Sequence, residues 1–277
     1  MLNYEKISKI NIYNKKKNIY IYRIYVICDT QIYSFTLQGF QSVDIIETYD
    51  NRLGVFGICY DPNVTIIAFP DKAKKGKVRI KNMDKNSTNT VDAHENIISF
   101  ISFNNNGSIM ATASDRGTLI RLFLTETGYF FQEIRRGKDK AVIKDICFEP
   151  NNKLIACCSD KGTVHIWNLE SKLKQVFKDE NENNNKEEGI SSSSKKEDLA
   201  QNHKSIFSSL PNFVSGGFFK SEWSFANVRI KDSNSICCFG KEDEIIIISS
   251  QGNYYKANID LKKGGDCEIT EKIEYAK

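Results

Sequence analysis

Residues 133–168 read EIRRGKDKAVIKDICFEPNNKLIACCSDKGTVHIWN. After two adjacent arginines, apolar runs alternate with short polar segments, a pattern that predicts β-strands separated by turns. The predicted strands cover 142–148, 154–159 and 163–169, and Asp160-Lys161-Gly162 forms a tight turn between the last two. The stretch therefore reads as one four-strand-like unit with a doubled positive charge at its entrance.

The segment before the arginines nearly repeats the segment after them. Residues 108–123 read SIMATASDRGTLIRLF, and residues 153–167 read KLIACCSDKGTVHIW. Each copy contains an apolar strand, a Ser-Asp-basic-Gly-Thr turn and a second apolar strand. Ser114 and Ser159 hold the same place in the two copies and are about 45 residues apart, which is the period of a propeller blade. The repeat predicts an all-β fold, a WD-repeat β-propeller.

The two arginines at the entrance of this unit suit an anionic ligand. Side chains on a strand alternate between its faces, so Arg135 and Arg136 are expected to point to opposite sides and to serve separate pockets. The guanidinium group is planar, stays charged and matches the geometry of phosphate oxygens. Gly137 lets the chain turn there and lets a bulky ligand approach. The alternative is a solvated pair of arginines at a strand end.

With these features the sequence resembles the PROPPIN family, the WIPI-type autophagy-related β-propellers that bind phosphoinositides. The family signature is Phe/Leu-Arg-Arg-Gly, and here the corresponding residues are Ile134-Arg135-Arg136-Gly137, a conservative departure at the first position. The resemblance covers roughly residues 45–260. It includes Ala93-His94-Glu95, where His94 occupies the place of the usual blade-opening Gly-His.

The resemblance implies two lipid-headgroup sites that flank the double arginine. The first set is Arg135, His94, Ser114 and Thr118, with Arg116 as a further candidate. The second set is Arg136, Ser159, Thr163 and His165, with Lys161 as a further candidate. In such sites arginine supplies charge, hydroxyls donate to phosphate or inositol oxygens, and histidine becomes a cation as the pH falls near a membrane. The alternatives are ordinary turn chemistry for the serines and threonines and a hydrogen-bonded structural role for the histidines.

Composition and length agree with one large β domain over 1–277. The chain has 277 residues, of which 40% are hydrophobic and 27% are charged, values typical of a soluble globular protein. The net charge of +4 indicates a local basic site and not a general nucleic-acid surface. The apolar run at 19–28 is far shorter than a spanning helix and contains Arg23, and no signal peptide is expected after Met1.

The number of strand units is smaller than the resemblance implies. Strand patterns divide the chain into five units at 1–44, 45–90, 91–132, 133–222 and 223–277, whereas the family has seven blades. The predicted strands include 54–60 in the second unit and 244–249 in the fifth. We expect the missing part to precede Met1. The alternative is an open or smaller propeller, in which unpaired strand edges favour aggregation.

A polar tract and an apolar loop interrupt the fourth unit. Residues 178–204 are rich in Asn, Glu, Lys and Ser and are predicted to be disordered. Residues 205–222 match the long loop of the sixth blade in the family and are expected to insert into the bilayer. The apolar residues of this loop that share one helical face are Ile206, Phe207, Leu210, Phe213 and Val214. Alternatively, the loop packs its aromatic residues on the propeller rim.

Motifs for enzymatic chemistry are missing from the sequence, which does not predict an enzyme or a cofactor. There is no P-loop, dinucleotide fingerprint or Gly-x-Ser-x-Gly elbow, and the three histidines lack ligand spacing for zinc. The eight cysteines form no CxxC pair and read as small buried residues in a reducing cytosol.

Two hypotheses about function remain. The first is a monomeric effector of phosphatidylinositol 3-phosphate and 3,5-bisphosphate with autophagy proteins as partners. It would act on phagophore, endosomal or vacuolar membranes in autophagosome formation, recruitment of the lipidation machinery or organelle traffic. The second is a WD-repeat scaffold that binds only proteins. Only the first hypothesis requires the two arginines.

Overall fold

The computed structural model describes residues 7–15, 21–59, 61–174, 200–203, 221–241 and 243–275. The chain divides into two compact units, Met1–Ile146 and Cys147–Lys277. The strands of the described residues form five sheets, three in the first unit and two in the second. No helix in these ranges is long and apolar enough to cross a bilayer.

The three sheets of the first unit are built from consecutive antiparallel strands. The first sheet contains β1 (Ile7–Lys15), β2 (Ile21–Cys28), β3 (Gln31–Thr36) and β4 (Ser42–Glu47). The second contains β5 (Gly57–Ile58), β6 (Ile66–Pro70), β7 (Lys77–Asn82) and β8 (Ser87–Asp92). The third contains β9 (Ile98–Phe103), β10 (Ile109–Ser114), β11 (Leu119–Leu124) and β12 (Phe130–Arg135).

The second unit holds the remaining two sheets. Its first sheet contains β13 (Ile143–Phe148), β14 (Leu154–Ser159), β15 (Thr163–Asn168) and β17 (Ala226–Arg229). The short strand β16 (Glu222–Trp223) precedes β17 in the chain and is not part of this sheet. Its second sheet contains β18 (Ser235–Phe239), β19 (Glu244–Ser249), β20 (Asn253–Asn258) and β22 (Glu268–Glu274). The short strand β21 (Gly265–Asp266) lies between β20 and β22 in the chain and pairs in parallel with β17.

Strands with continuous apolar runs form the centre of the sheets. Every residue of β6, β10 and β14 is buried, as expected for strands covered on both faces. In the second unit the core includes Leu154, Ala156 and Cys158 of β14 together with Ile166, Phe225 and Ile247. The cysteines are free thiols and most are buried, as predicted, but Cys238 is exposed because it alternates with buried Cys237 on β18.

Several strand predictions are confirmed and others differ for local reasons. The strands predicted at 154–159 and 244–249 have those bounds. The strand predicted at 54–60 is reduced to Gly57–Ile58 among the described residues. Here the side chain of Asn51 binds both backbone groups of Val55, accepting from its N–H at 2.8 Å and donating to its carbonyl at 3.1 Å. These bonds take the place of ladder pairing at Val55.

Two predicted unit boundaries are wrong. Residues 133–135 were expected to open the fourth unit, yet they belong to β12, where Arg135 pairs with Leu119 of β11. Residues 226–229 were expected in the fifth unit, yet β17 pairs with β15 in the fourth sheet. In both cases the last strand of a sheet follows a turn or an insertion, so the sequence alone does not show which sheet the strand joins.

Most of the polar tract and of the apolar loop lies outside the described residues. This applies to 175–199 and 204–220, which include all five residues predicted to insert into a membrane. Residues 200–203, at the end of the tract, are hydrogen-bonded to the second unit. Asn202 accepts a 2.7 Å bond from the backbone N–H of Asn168 and donates one of 2.7 Å to its carbonyl.

Candidate functional site

The Arg-Arg-Gly motif lies at the end of β12 in the first unit. Arg135 is the last residue of the strand, and the backbone N–H groups of Arg136 and Gly137 donate to the carbonyl of Thr118, at 3.0 and 3.4 Å. Both arginines are only 5% exposed. The alternative of a solvated pair is therefore wrong.

Arg136 is bound to the backbone of the turns around it. Its Nε donates a 2.8 Å bond to the carbonyl of Gly117, and a terminal guanidinium nitrogen donates to the carbonyl of Asp139. Such bonds from a charged donor are stronger than neutral ones. Arg136 therefore holds the start of β11 and the segment after the motif in one arrangement.

Gly117 allows the turn before β11 to approach the backbone at Ala141 closely. Its φ of +57° lies in the left-handed region, and a Cβ at this position would lie 2.0 Å from the carbonyl oxygen of Ala141. The neighbouring Arg116 carbonyl accepts from the N–H of Ala141 at 3.1 Å. The Ser-Asp-Arg-Gly-Thr turn is thus packed directly on the segment that follows the motif.

Arg135 is a cation removed from most of its water. Burial lowers its pKa, an effect that the carboxylate of Glu133 opposes. The side chain stays charged at neutral pH because the ordinary pKa of arginine lies far above neutrality. In an environment of low dielectric constant a positive charge attracts an anion more strongly than it would in water. The electrostatics at the end of β12 therefore favour an anionic group.

His94 is part of a hydrogen-bond chain inside the first unit. Its Nε2 lies 3.1 Å from the hydroxyl and 3.2 Å from the carbonyl of Thr112, and that hydroxyl donates to the carbonyl of Arg121 at 3.1 Å. Since the carbonyl of Thr112 can only accept, the ring carries its proton on Nε2. Arg121 in turn binds Glu133 at 2.9 Å and the carbonyl of Ala93 at 2.7 Å.

The hydrogen-bond network around His94 favours the neutral ring, which argues against the expectation that it becomes a cation near a membrane. Burial lowers its pKa to about 4, and the positive charge of Arg121 acts in the same direction against the opposing bond to Thr112. The geometry agrees with the structural role considered for this histidine. A headgroup contact by His94 remains a prediction, and in this tautomer Nδ1 would accept a hydroxyl hydrogen.

Ser114 and Thr118 frame the turn between β10 and β11. Ser114 is buried at the end of β10, and its carbonyl accepts from the N–H of Gly117 at 2.9 Å. Thr118 is half-buried and accepts from the motif through its own carbonyl. The backbone carbonyls of both residues accept hydrogen bonds in or beside the turn, and the turn places the two residues beside the motif. Their role as headgroup ligands remains a prediction.

Three residues of the second set lie in the second unit, whereas Arg136 belongs to the first. Ser159 is buried at the end of β14, and its hydroxyl accepts from the N–H of Lys161 at 3.4 Å. Thr163 and His165 are half-buried two positions apart on β15, hence on one face. The Nδ1 of His165 lies 3.1 Å from the hydroxyl of Ser224.

Sequence reasoning did not assign roles to Thr112, Gly117, Arg121 and Asp139. Thr112 and Arg121 are paired across β10 and β11, a register that the sequence repeat alone does not reveal. Glycine after Ser-Asp-Arg was the available signal for the tight turn. Asp139 binds Arg136 through its backbone carbonyl, so the identity of its side chain could not indicate this contact.

Comparisons with curated proteins find relatives over most of the chain. It is 26% identical to Autophagy-related protein 18 of Schizosaccharomyces pombe, covering 89% of this chain and 72% of the relative. It is also 26% identical to Autophagy-related protein 18e of Arabidopsis thaliana, covering 91% and 61%. A third relative, WD repeat domain phosphoinositide-interacting protein 1 of Xenopus laevis, is 26% identical, with coverage of 98% and 63%.

Solved structures support the predicted fold class. Kluyveromyces lactis Hsv2 superposes with a TM-score of 0.67 at 18% identity, over 98% of this chain and 74% of that one. KlAtg21, in its complex with the coiled coil of AgAtg16, superposes with a TM-score of 0.64 at 20% identity, over 98% and 72%. The all-β propeller class is confirmed, and five sheets are consistent with part of a propeller. The PROPPIN family model matches residues 1–274, and the chain belongs to the PROPPIN family.

Proposed function

We propose that this protein is a phosphoinositide effector that docks on membranes through headgroup sites beside Arg135 and Arg136. Its ligands are phosphatidylinositol 3-phosphate and the 3,5-bisphosphate. Lipid binding is the known property of the family, whose members are binding proteins. The observation that carries the proposal is the desolvated charge of Arg135 at the end of β12.

The first headgroup binds beside the turn of Ser114 and Thr118. Arg135 supplies the charge there, since its fork matches two phosphate oxygens. Arg136 positions this site because its bond to Gly117 fixes the turn that carries Thr118. A preorganised donor set binds more tightly because little order has to be gained on association.

The second headgroup set follows from the resemblance to the family. Its members in the second unit are Ser159, Thr163 and His165. The hydroxyl groups of Ser159, at the end of β14, and Thr163, at the start of β15, lie on either side of a tight turn. Backbone and side-chain groups of such a turn can both face a ligand.

Stable attachment requires more than one signal on the membrane. One weak contact gives only marginal and reversible membrane binding. Two headgroup sites and the apolar loop at 205–222 act together, because each contact raises the effective concentration of the others. In this proposal the aromatic and aliphatic residues of the loop enter the interface.

The partners and location follow from the relatives. The KlAtg21 structure contains the coiled coil of AgAtg16, which supports an autophagy protein as a partner of this chain. We place its action on phagophore, endosomal or vacuolar membranes, with the protein monomeric. The same complex also supports the second candidate function, a scaffold that binds proteins alone.

Titration calorimetry with inositol 1,3-bisphosphate, the soluble headgroup of the 3-phosphate lipid, separates the two functions. The effector predicts binding that Arg135→Thr weakens at least about tenfold, the size of one strong charged contact. Arg52→Thr is the control, because Arg52 is an exposed arginine of the first unit paired with Asp50. Equal binding by the wild type and Arg135→Thr, or none by a folded wild type, contradicts the proposal.

A further inference from the structure

Strand β17 adds an arginine to the face that carries Thr163 and His165. In the antiparallel pair of β15 and β17, Thr163 lies directly opposite Arg229, and His165 lies opposite Asn227. Residues directly opposite each other point to the same face, with Cβ atoms about 5 Å apart. Arg229 was not among the residues predicted from the sequence, because it lies 66 positions after Thr163 and 64 after His165, and only the register of β17 brings them together.

The side chain of Arg229 is accessible to a ligand. It is 73% exposed, and its Nε lies 3.4 Å from Oδ1 of Asp266, which is 65% exposed. An ion pair between two exposed side chains contributes little free energy. The guanidinium group can therefore exchange this carboxylate for a more highly charged anion.

The position of Asp266 is set by the backbone and not by this ion pair. β21 pairs in parallel with β17, and Gly265 and Cys267 donate to the carbonyls of Phe225 and Asn227 at 2.8 Å. Gly264 has a φ of +69°, and a Cβ there would lie 2.3 Å from the carbonyl oxygen of Phe225. A carboxylate is thus held beside Arg229 as an internal competitor for its charge.

We propose that Arg229 determines lipid specificity beside Thr163 and His165 of the second unit by binding the additional phosphate of a bisphosphorylated headgroup. The inference rests on the proposed function. A phosphate monoester carries a charge of about −1.5 to −2 at neutral pH, more than one carboxylate, and offers three acceptor oxygens. A headgroup with one phosphate leaves Arg229 with Asp266, whereas a second phosphate displaces Asp266. The protein then prefers the 3,5-bisphosphate.

The contribution of Arg229 is tested with vesicles that carry either the 3-phosphate or the 3,5-bisphosphate lipid at equal mole fraction. We expect Arg229→Ala to weaken binding to the bisphosphate about tenfold and binding to the monophosphate less than about twofold. Arg52→Ala, the matched exposed arginine, should change neither. Asp266→Asn should act in the opposite direction and strengthen bisphosphate binding, because it removes the competitor.

The possible failures are distinguishable. A folded wild type that binds neither lipid overturns the proposed function itself. If the wild type binds and Arg229→Ala has the same ratio of affinities for the two lipids as the wild type, the role of Arg229 is refuted while the proposed function stands. Weaker bisphosphate binding by Asp266→Asn would also refute the exchange, since that variant keeps the backbone bonds of β21 and loses only the charge.

Discussion

The Nε of Arg136 donates a 2.8 Å hydrogen bond to the carbonyl oxygen of Gly117. The bond joins the second arginine of the motif to the turn that precedes β11, while the backbone of the same residue donates to Thr118. Arg136 is therefore a part of the framework as well as a candidate ligand. Variants of this residue affect folding and binding together, and the two effects need separate measurements.

Replacement of Arg136 by alanine should lower the free energy of unfolding by about 2 kcal/mol, because two backbone carbonyls lose a charged donor. Urea unfolding followed by circular dichroism measures this change. Arg52→Ala is the matched control, since its exposed ion pair contributes little. Equal midpoints for the two variants would show that the buried bonds of Arg136 add nothing.

Gly117→Ala should destabilise the protein by more than about 1 kcal/mol, since the left-handed φ and the 2.0 Å approach to Ala141 exclude a side chain. Gly137→Ala is the control within the motif, because a Cβ at Gly137 meets nothing within 4 Å. Thermal unfolding compares the two. A melting temperature for Gly117→Ala that matches Gly137→Ala would argue against the packed turn.

His94 should make stability depend on acidic pH. Its pKa is about 4 when folded and near its ordinary 6.5 when unfolded, so the unfolded chain binds the proton first. The contribution of His94 to stability is complete above about pH 6.5 and is lost as the pH falls towards 4. Comparison of denaturation curves at several pH values with those of His94→Gln isolates this effect. A variant with the same slope as the wild type across that window would exclude His94 as its source.

Neighbouring cysteines on β18 should differ in reactivity. Cys238 is exposed, whereas Cys237 is buried beside Cys147, with 3.5 Å between the sulfur atoms. Hydrogen bonds with Cys147 and Cys158, together with burial, raise the pKa of Cys237, which further slows its reaction. Brief alkylation followed by peptide mass spectrometry should label Cys238 first. Earlier labelling of Cys237 would contradict the register of β18.

Local sequence signals predicted the strands that repeat, but not the contacts between distant segments. The apolar runs ending at Ser159 and Ser249 gave correct strand bounds because each is flanked by turn residues. The burial of Arg135 depends on pairing with β11, and the neutrality of His94 depends on Thr112 and Arg121. No short-range pattern encodes these relationships.

The family signature located the candidate site, although it did not describe its interior. Two adjacent arginines alone favoured a solvated pair, and the family signature favoured ligands, whereas the structure shows both side chains to be buried. The part played by Arg229 was hidden for a different reason. Its strand is separated from Thr163 by the polar tract and the apolar loop, so that only the pairing of β15 with β17 brings the two residues together.

Flotation with liposomes tests whether Arg135 and Arg136 bind phosphoinositides in a membrane. The liposomes are plain, or contain the 3-phosphate or the 3,5-bisphosphate lipid, and the proteins are the wild type, Arg135→Thr and Arg135→Thr/Arg136→Thr. Circular dichroism first verifies that each variant is folded, since Arg136 also stabilises the turn. We predict that the wild type floats only with liposomes that contain a phosphoinositide, that a smaller fraction of the single variant floats, and that the double variant remains in the bottom fraction. Equal flotation of all three proteins, or none by a folded wild type, would contradict it.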